Sequence, residues 1–300
     1  MFHIFGSIIF VYIFIFIGFI AKSVFKSKID SKTLTLVSVY FMQPFVSIWG
    51  FSTAKLSIEH LYVPLLYLAV IFALFVPIAL FSKGIFSDRK ERAIFTIAGF
   101  VGNTGNIGIP LGIALFGEQS VIYTTLINIA NVFVVYGLGA YIYSRGSFSI
   151  KQSLLNMLKI PILPASLIAA SLNLLGVNYA NEIKEMLKMG AYHGIVLQLF
   201  LLGTFLQTIK IKEINYKLFS SVLILKFLAI PALTYAILMP LPVDDFVKSI
   251  LLMQMLTPLA VANINLASLY NCKAEVVTAL ILFSTMLFIV VIAIFSYLSL

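Results

Sequence analysis

The sequence predicts an all-α polytopic membrane protein: ten transmembrane helices in two inverted five-helix repeats, with the fourth and ninth helices broken and crossed. Three observations carry this expectation. The 300-residue chain is 61% hydrophobic and only 10% charged, with a mean hydropathy of +1.08, whereas soluble domains run near 25% charged residues. Ten segments supply the ~20 mostly apolar residues that a bilayer span requires. Two of those segments interrupt themselves with proline and asparagine.

The spans fall at roughly Ile4–Ala21, Leu34–Phe51, Leu61–Phe81, Ala93–Phe116, Val121–Tyr143, Leu154–Leu175, Met186–Gln207, Leu218–Met239, Val247–Leu269 and Val276–Leu298. The first reads as a retained span and not a signal peptide, because Lys22, Lys26, Lys28 and Lys32 follow its apolar run. No hydrophilic stretch is long enough for a soluble domain, so residues 1–300 form one membrane domain. The single cysteine, Cys272, excludes an intrachain disulfide and a cysteine metal cluster.

Charge gives the orientation. The net charge of +9 fits the positive-inside bias of membrane loops better than nucleic-acid binding. One set of alternate loops holds fourteen lysines and arginines; the other holds only Lys55, Lys184, Lys188 and Lys248. Both termini are therefore expected outside. All eleven acidic residues fall in loops or at span edges. Carboxylates inside spans are the usual device of proton relays and cation sites, so their absence from the spans turns the expectation towards an anion.

The fourth span contains A-G-F-V-G-N-T-G-N-I-G-I-P-L, Ala98 to Leu111, and the ninth contains M-L-T-P-L-A-V-A-N-I-N-L-A-S. Glycine weakens a helix and proline removes a donor. In lipid the freed backbone groups must be covered by protein or line a watery cavity. An offset of about 150 residues maps spans one to five onto six to ten, with Pro77 matched by Pro231. That gives repeats at about 1–146 and 147–300, in opposite orientations because each holds an odd number of spans. Corresponding broken helices point to a substrate site, and their half-helix N-termini suit an anion. The competing reading is that these small residues only permit close packing.

The G-N-T-G-N-I-G-I-P-L run, Gly102 to Leu111, resembles the signature of the auxin efflux carrier family. Tyr40 to Pro44, Lys226 with Pro231, and Pro258 to Asn265 support the resemblance. That family includes plant auxin exporters and bacterial permeases for malate or malonate. The resemblance implies a fold related to bile acid symporters and sodium–proton antiporters. It implies a scaffold of spans one, two, six and seven, and a mobile part of spans three to five and eight to ten that moves in elevator fashion. It also implies a homodimer. Pro110 and Pro258 would mark the crossing, with Asn103, Asn106, Asn263 and Asn265 as polar groups around it.

Lys226 lies near mid-membrane, where a charge costs on the order of 2.5–3.5 kcal/mol on insertion scales. It either attracts a carboxylate, pairs with carbonyls at a half-helix end, or snorkels to the interface; Lys159, nearer an edge, snorkels. Gln43 and Pro44 suggest a kink facing the site. Asn128 and Asn131 share a helix face and are expected to bond a neighbouring helix. His193 reads as an interfacial histidine. No metal-ligand spacing, phosphate-binding loop, H-E-x-x-H or G-x-S-x-G motif occurs, so no cofactor, metal or enzymatic activity is expected. The function expected is secondary transport of small organic anions through the cell membrane, with a site of Asn103, Asn106, Pro110, Pro258, Asn263, Asn265, Lys226 and Gln43. The rivals are a sodium- or proton-coupled transporter of the same fold and a non-transporting membrane sensor.

Overall fold

The computed structural model describes residues 2–52, 55–144, 161–206 and 215–298. Arg145, Lys151, Lys159, Lys210, Lys212, Glu213 and the start of the expected sixth span lie outside them. The described residues are helical throughout, apart from turns and one isolated backbone bridge. In order, the helices are α1 Phe2–Phe25, α2 Ser31–Ser52, α3 Tyr62–Ile85, α4 Arg89–Ala98, α5 Thr104–Phe116 and α6 Glu118–Tyr143. There follow α7 Ile162–Leu174, α8 Asn181–Phe205, α9 Tyr216–Leu238, α10 Asp245–Leu256, α11 Ala262–Leu269 and α12 Ala274–Leu298. Among them, α2, α3, α6, α8, α9 and α12 are long and apolar enough to cross a membrane, and α5 and α7 are shorter apolar helices.

Proline shapes these helices in a repeated way. Wide π turns occupy Ser38–Met42, Thr104–Gly108, Val134–Gly139 and Leu225–Ala229, and all but the third are followed by a proline. Pro44, Pro110 and Pro231 each follow such a turn by two residues. A proline cannot donate to the carbonyl four residues back, and its ring pushes against that carbonyl. Widening the preceding turn relieves the clash and leaves the helix continuous.

The chain packs as two compact units. The first comprises Met1–Tyr62, Gly105–Ile129 and Leu158–Thr208. Gly18 on α1 lies against the Phe200 carbonyl of α8, and Gly203 on α8 lies against the Ile15 carbonyl of α1. A side chain at either position would collide with backbone, so these helices touch main chain to main chain, as small residues permit in membranes. Elsewhere in this unit Phe51, Leu56, Ile122, Leu126 and Ala169 form a buried apolar cluster. Trp49 packs on Tyr192 with ring centroids 5.4 Å apart.

The second unit comprises Val63–Thr104, Ala130–Met157 and Ile209–Leu300. Its polar edge is tied at the start of α4. Asp88 caps that helix by accepting from the Lys90 amide at 2.8 Å. Lys273, in the turn before α12, reaches both Asp88 (2.6 Å) and Glu91 (2.7 Å). The hydrogen bond from Lys273 holds the Asp88 carboxyl below its ordinary pKa. Burial alone would lower Lys273, but its bonds to Asp88 and Glu91 outweigh burial and hold the ammonium above its ordinary value.

The stability these groups add follows from the two directions. The Asp88 contribution is full above the ordinary aspartate pKa of about 3.9 and is lost as pH falls through the lower folded value. The Lys273 contribution is full below about 10.4 and is lost as pH rises through its higher folded value. Asp88→Asn is expected to remove the Asp88 share of the acid-side loss, at a cost near neutrality of about 0.5–1 kcal/mol for a half-exposed pair. Melting curves of the purified protein between pH 3 and 8 check this. An acid limb unchanged by Asp88→Asn would show that Asp88 is not a source of the loss.

Candidate functional site

Two helices of the second unit stop at the two interrupted stretches: α4 ends at Ala98 before Gly99 and Gly102, and α10 ends at Leu256 before Thr257 and Pro258. The two interruptions pair with each other. Gly102 and Leu259 form an antiparallel bridge. The Asn103 amide donates to the Pro258 carbonyl at 2.8 Å, and the Ala260 amide donates to the Val101 carbonyl at 3.0 Å. Without water, an unpaired backbone group costs several kcal/mol, and each break supplies the partner the other lacks.

Side chains complete the pairing on the first break, carbonyl by carbonyl. Lys226 Nζ donates to the Gly99 oxygen at 3.1 Å. The Phe100 oxygen accepts from the Gly102 amide at 2.9 Å. The Val101 oxygen accepts from Asn263 Nδ2 at 3.1 Å as well as from Ala260. The Gly102 oxygen accepts from Asn131 Nδ2 at 2.9 Å. Each of the two asparagines is itself fixed by a buried tyrosine: Tyr67 donates to Asn131 Oδ1 and Tyr143 donates to Asn263 Oδ1, both at 3.1 Å. On the second break, the Leu259 amide donates to Ser284 Oγ at 3.2 Å.

Lys226 is the exceptional group. It sits in the wide turn Leu225–Ala229 of α9 and is 1% exposed. Its bond to Gly99 places an amine at the C-terminal end of α4, where the helix dipole is negative. Among the described residues its Nζ forms no ion pair with a carboxylate. Gly102 keeps the space beside it. A Cβ there would lie 2.6 Å from Thr257 Oγ1 and 3.1 Å from Lys226 Nζ.

Two buried carboxamides in this unit are not fully paired. Asn103 Nδ2 has no partner, and neither Nε2 nor Oε1 of Gln254 has one. Gln254 is fully buried in the last turn of α10, and its carbonyl accepts from Thr257 Oγ1 at 2.7 Å. A buried amide without partners costs roughly 1–3 kcal/mol by mutational measures, and Thr234 Oγ1 of the same unit is likewise unpaired.

Of the residues expected from sequence, the second unit gathers Asn103, Pro258, Asn263 and Lys226 around the paired breaks. Asn265 follows in α11, and its side chain lies outside the described residues. Asn106 and Pro110 on α5 and Gln43 on α2 are half-buried members of the first unit. Asn128 packs beside Gly105 in that unit, while Asn131 serves the break in the other. His193 is exposed. Sequence reading missed Gln254, Tyr67 and Tyr143. A glutamine three residues before the Thr-Pro break was a legible signal; the tyrosines gave none.

Apolar helices of spanning length define a multi-pass membrane protein. Residues 3–296 match the family described as membrane transport protein, and the chain belongs to this family, that of the auxin efflux carriers. An uncharacterized transporter of Methanocaldococcus jannaschii is 25% identical over 309 residues, with 98% of each chain covered. The chain is thus placed among transporters and not in an enzyme family.

The contacts at Gly102 give a direct test. Gly102→Ala is expected to lower the melting temperature in detergent, with a cost of about 1–3 kcal/mol for overpacking. Gly84→Ala, where an added Cβ meets nothing within 4 Å, is expected to leave it unchanged or slightly raised. Equal melting temperatures for the two variants would show that the space at Gly102 is not needed.

Proposed function

We propose that the protein is a secondary transporter of small organic anions, dicarboxylates or auxin-like weak acids, and that the anion docks at the paired breaks. The observation that carries the reading is the pattern of satisfied and unsatisfied groups. Every carbonyl from Gly99 to Gly102 already accepts a hydrogen bond, so this break offers a cation little. What is left over includes a free N–H2 on Asn103, the amide of Gln254, and Lys226 with no carboxylate beside it. A carboxylate would accept from the N–H groups of all three. Asn263, whose donors hold Val101 and Ala260, supports the site instead of contacting the substrate. Lack of a carboxylate near Lys226 also disfavours the sodium- or proton-coupled alternative, since such sites are built on membrane carboxylates.

The wider reading follows the family resemblance. Ten spans in two inverted repeats would place the paired breaks at the crossing of helices four and nine. An elevator motion would carry spans three to five and eight to ten past a scaffold of spans one, two, six and seven. Asn106, Pro110, Asn265 and Gln43 would line the route. The protein would lie in the cell membrane with both termini outside, paired as a homodimer by the scaffold.

Equilibrium binding of radiolabelled malonate to purified protein tests the site. A hydrogen bond to a charged group is worth about 1.5–3 kcal/mol, so Asn103→Ala, Gln254→Leu and Lys226→Met should each weaken binding by roughly tenfold or more. Flux in proteoliposomes should fall in parallel and should not follow an imposed sodium gradient. Unchanged affinity and flux in the Asn103→Ala, Asn263→Ala double variant would refute the assignment.

A further inference from the structure

A second polar cavity lies in the first unit, formed where α2 and α7 end and α8 begins. It holds about 300 Å³, and its lining includes Lys55, Asn173, Gly176, Val177 and Lys184. Its wall is constructed. Asn173 Oδ1 accepts from the Leu56 amide at 2.6 Å, while Asn173 Nδ2 donates to the Phe51 carbonyl. Gly176, at φ +73°, closes α7 with its amide on the Asn173 oxygen and that of Val177 on the Leu172 oxygen, the hydrogen-bonded left-handed ending that glycine favours.

The charges in this cavity are unusual for the chain. In the lysine-poor set of loops and helix ends, Lys188 is paired with Glu118 at 2.7 Å and Lys248 with Asp245 at 3.2 Å. The other two, Lys55 and Lys184, line this cavity, whose lining includes no acidic residue. Among the described side chains, which do not include that of Glu59, neither makes an ion pair. A cavity of similar size in the second unit, about 320 Å³, is also lined by a lysine, but there Lys248 has Asp245 beside it. Two cations facing one polar space whose lining includes no acidic residue favour an anion.

The rim says which anion. Val177, on the lining, and Leu175, next to Gly176 in the chain, are 43% and 79% exposed. A head group between cations with apolar side chains alongside is the arrangement by which basic pockets at helix ends hold lipid. A zwitterionic choline head would bring a third positive charge towards two lysines and would be disfavoured.

We propose that this cavity binds the phosphodiester of an anionic phospholipid between Lys55 and Lys184, with its acyl chains over Leu175 and Val177. The site is separate from the paired breaks, and its occupancy does not depend on what the breaks carry.

Native mass spectrometry tests it, with purified protein exchanged into mixed micelles of phosphatidylglycerol and phosphatidylcholine. Wild type should retain phosphatidylglycerol over phosphatidylcholine by roughly tenfold or more, as two surface cations would provide. The Lys55→Gln, Lys184→Gln pair should lose that preference. The Lys188→Gln, Lys248→Gln pair removes the same net charge from paired lysines and should keep it, as should Lys55→Arg, Lys184→Arg. If the first pair does not fold, the two single glutamine variants give the same reading, each with a reduced preference. Equal preference in both glutamine pairs overturns the proposal. So does a lysine-dependent rise in melting temperature with inorganic phosphate or succinate that exceeds the rise with phosphatidylglycerol, since the cavity would then take a soluble anion.

Discussion

The second unit depends on one constraint: in hydrocarbon, a backbone polar group that leaves its helix must find another partner. Breaking α4 after Ala98 frees the carbonyls of the following residues, and there is no bulk water to take them up. The chain answers with a short antiparallel pairing of Val101–Asn103 against Pro258–Ala260. Strand pairing of this kind is normally a soluble-protein device, but here it lets two helices stop inside an apolar environment. Neither break is tolerable alone, which is why both helices are interrupted.

The same constraint fixes the chemistry left over. Lys226, Asn131 and Asn263 are polar residues in apolar helices, and each is occupied with a carbonyl of the first break. A long side chain was needed to reach Gly99 from α9, and a donor was needed because only acceptors were orphaned. Lysine meets both demands and adds a positive charge at the negative end of α4. A structural repair thereby sets the electrostatic sign of the place.

Much of this could be read from residues alone, because membrane insertion imposes simple rules. Composition and segment length mark an all-helical membrane chain, and the glycine run after Ala98 and the Thr257–Pro258 pair mark where α4 and α10 end. The run from Gly102 to Leu111 carried the family. What stayed hidden was partnership. Asn263 looks like a substrate donor in the sequence, yet its N–H2 bonds Val101 and Ala260 and its oxygen takes Tyr143. Gln254 was marked in the sequence only by its place before the Thr-Pro break; that its amide is buried without partners shows only in three dimensions. Hydrogen-bond saturation is a property of three-dimensional neighbours, and residues 120 or more positions apart, such as Tyr143 with Asn263, leave no periodic trace.

The wide turns before Pro44, Pro110 and Pro231 carry a consequence for how the helices present their faces. A turn of this kind holds one residue more than an α-helical turn, and each residue advances the helix by about 100°. Side chains beyond the turn are therefore rotated by about that angle from where an unbroken helix would put them. On α9 the buried side chains recur every fourth residue, at Leu218, Val222, Lys226, Ile230, Thr234 and Leu238, a spacing that would drift around a regular helix. The extra residue in the wide turn offsets that drift, and Lys226 lies in the turn as part of one continuous inward stripe.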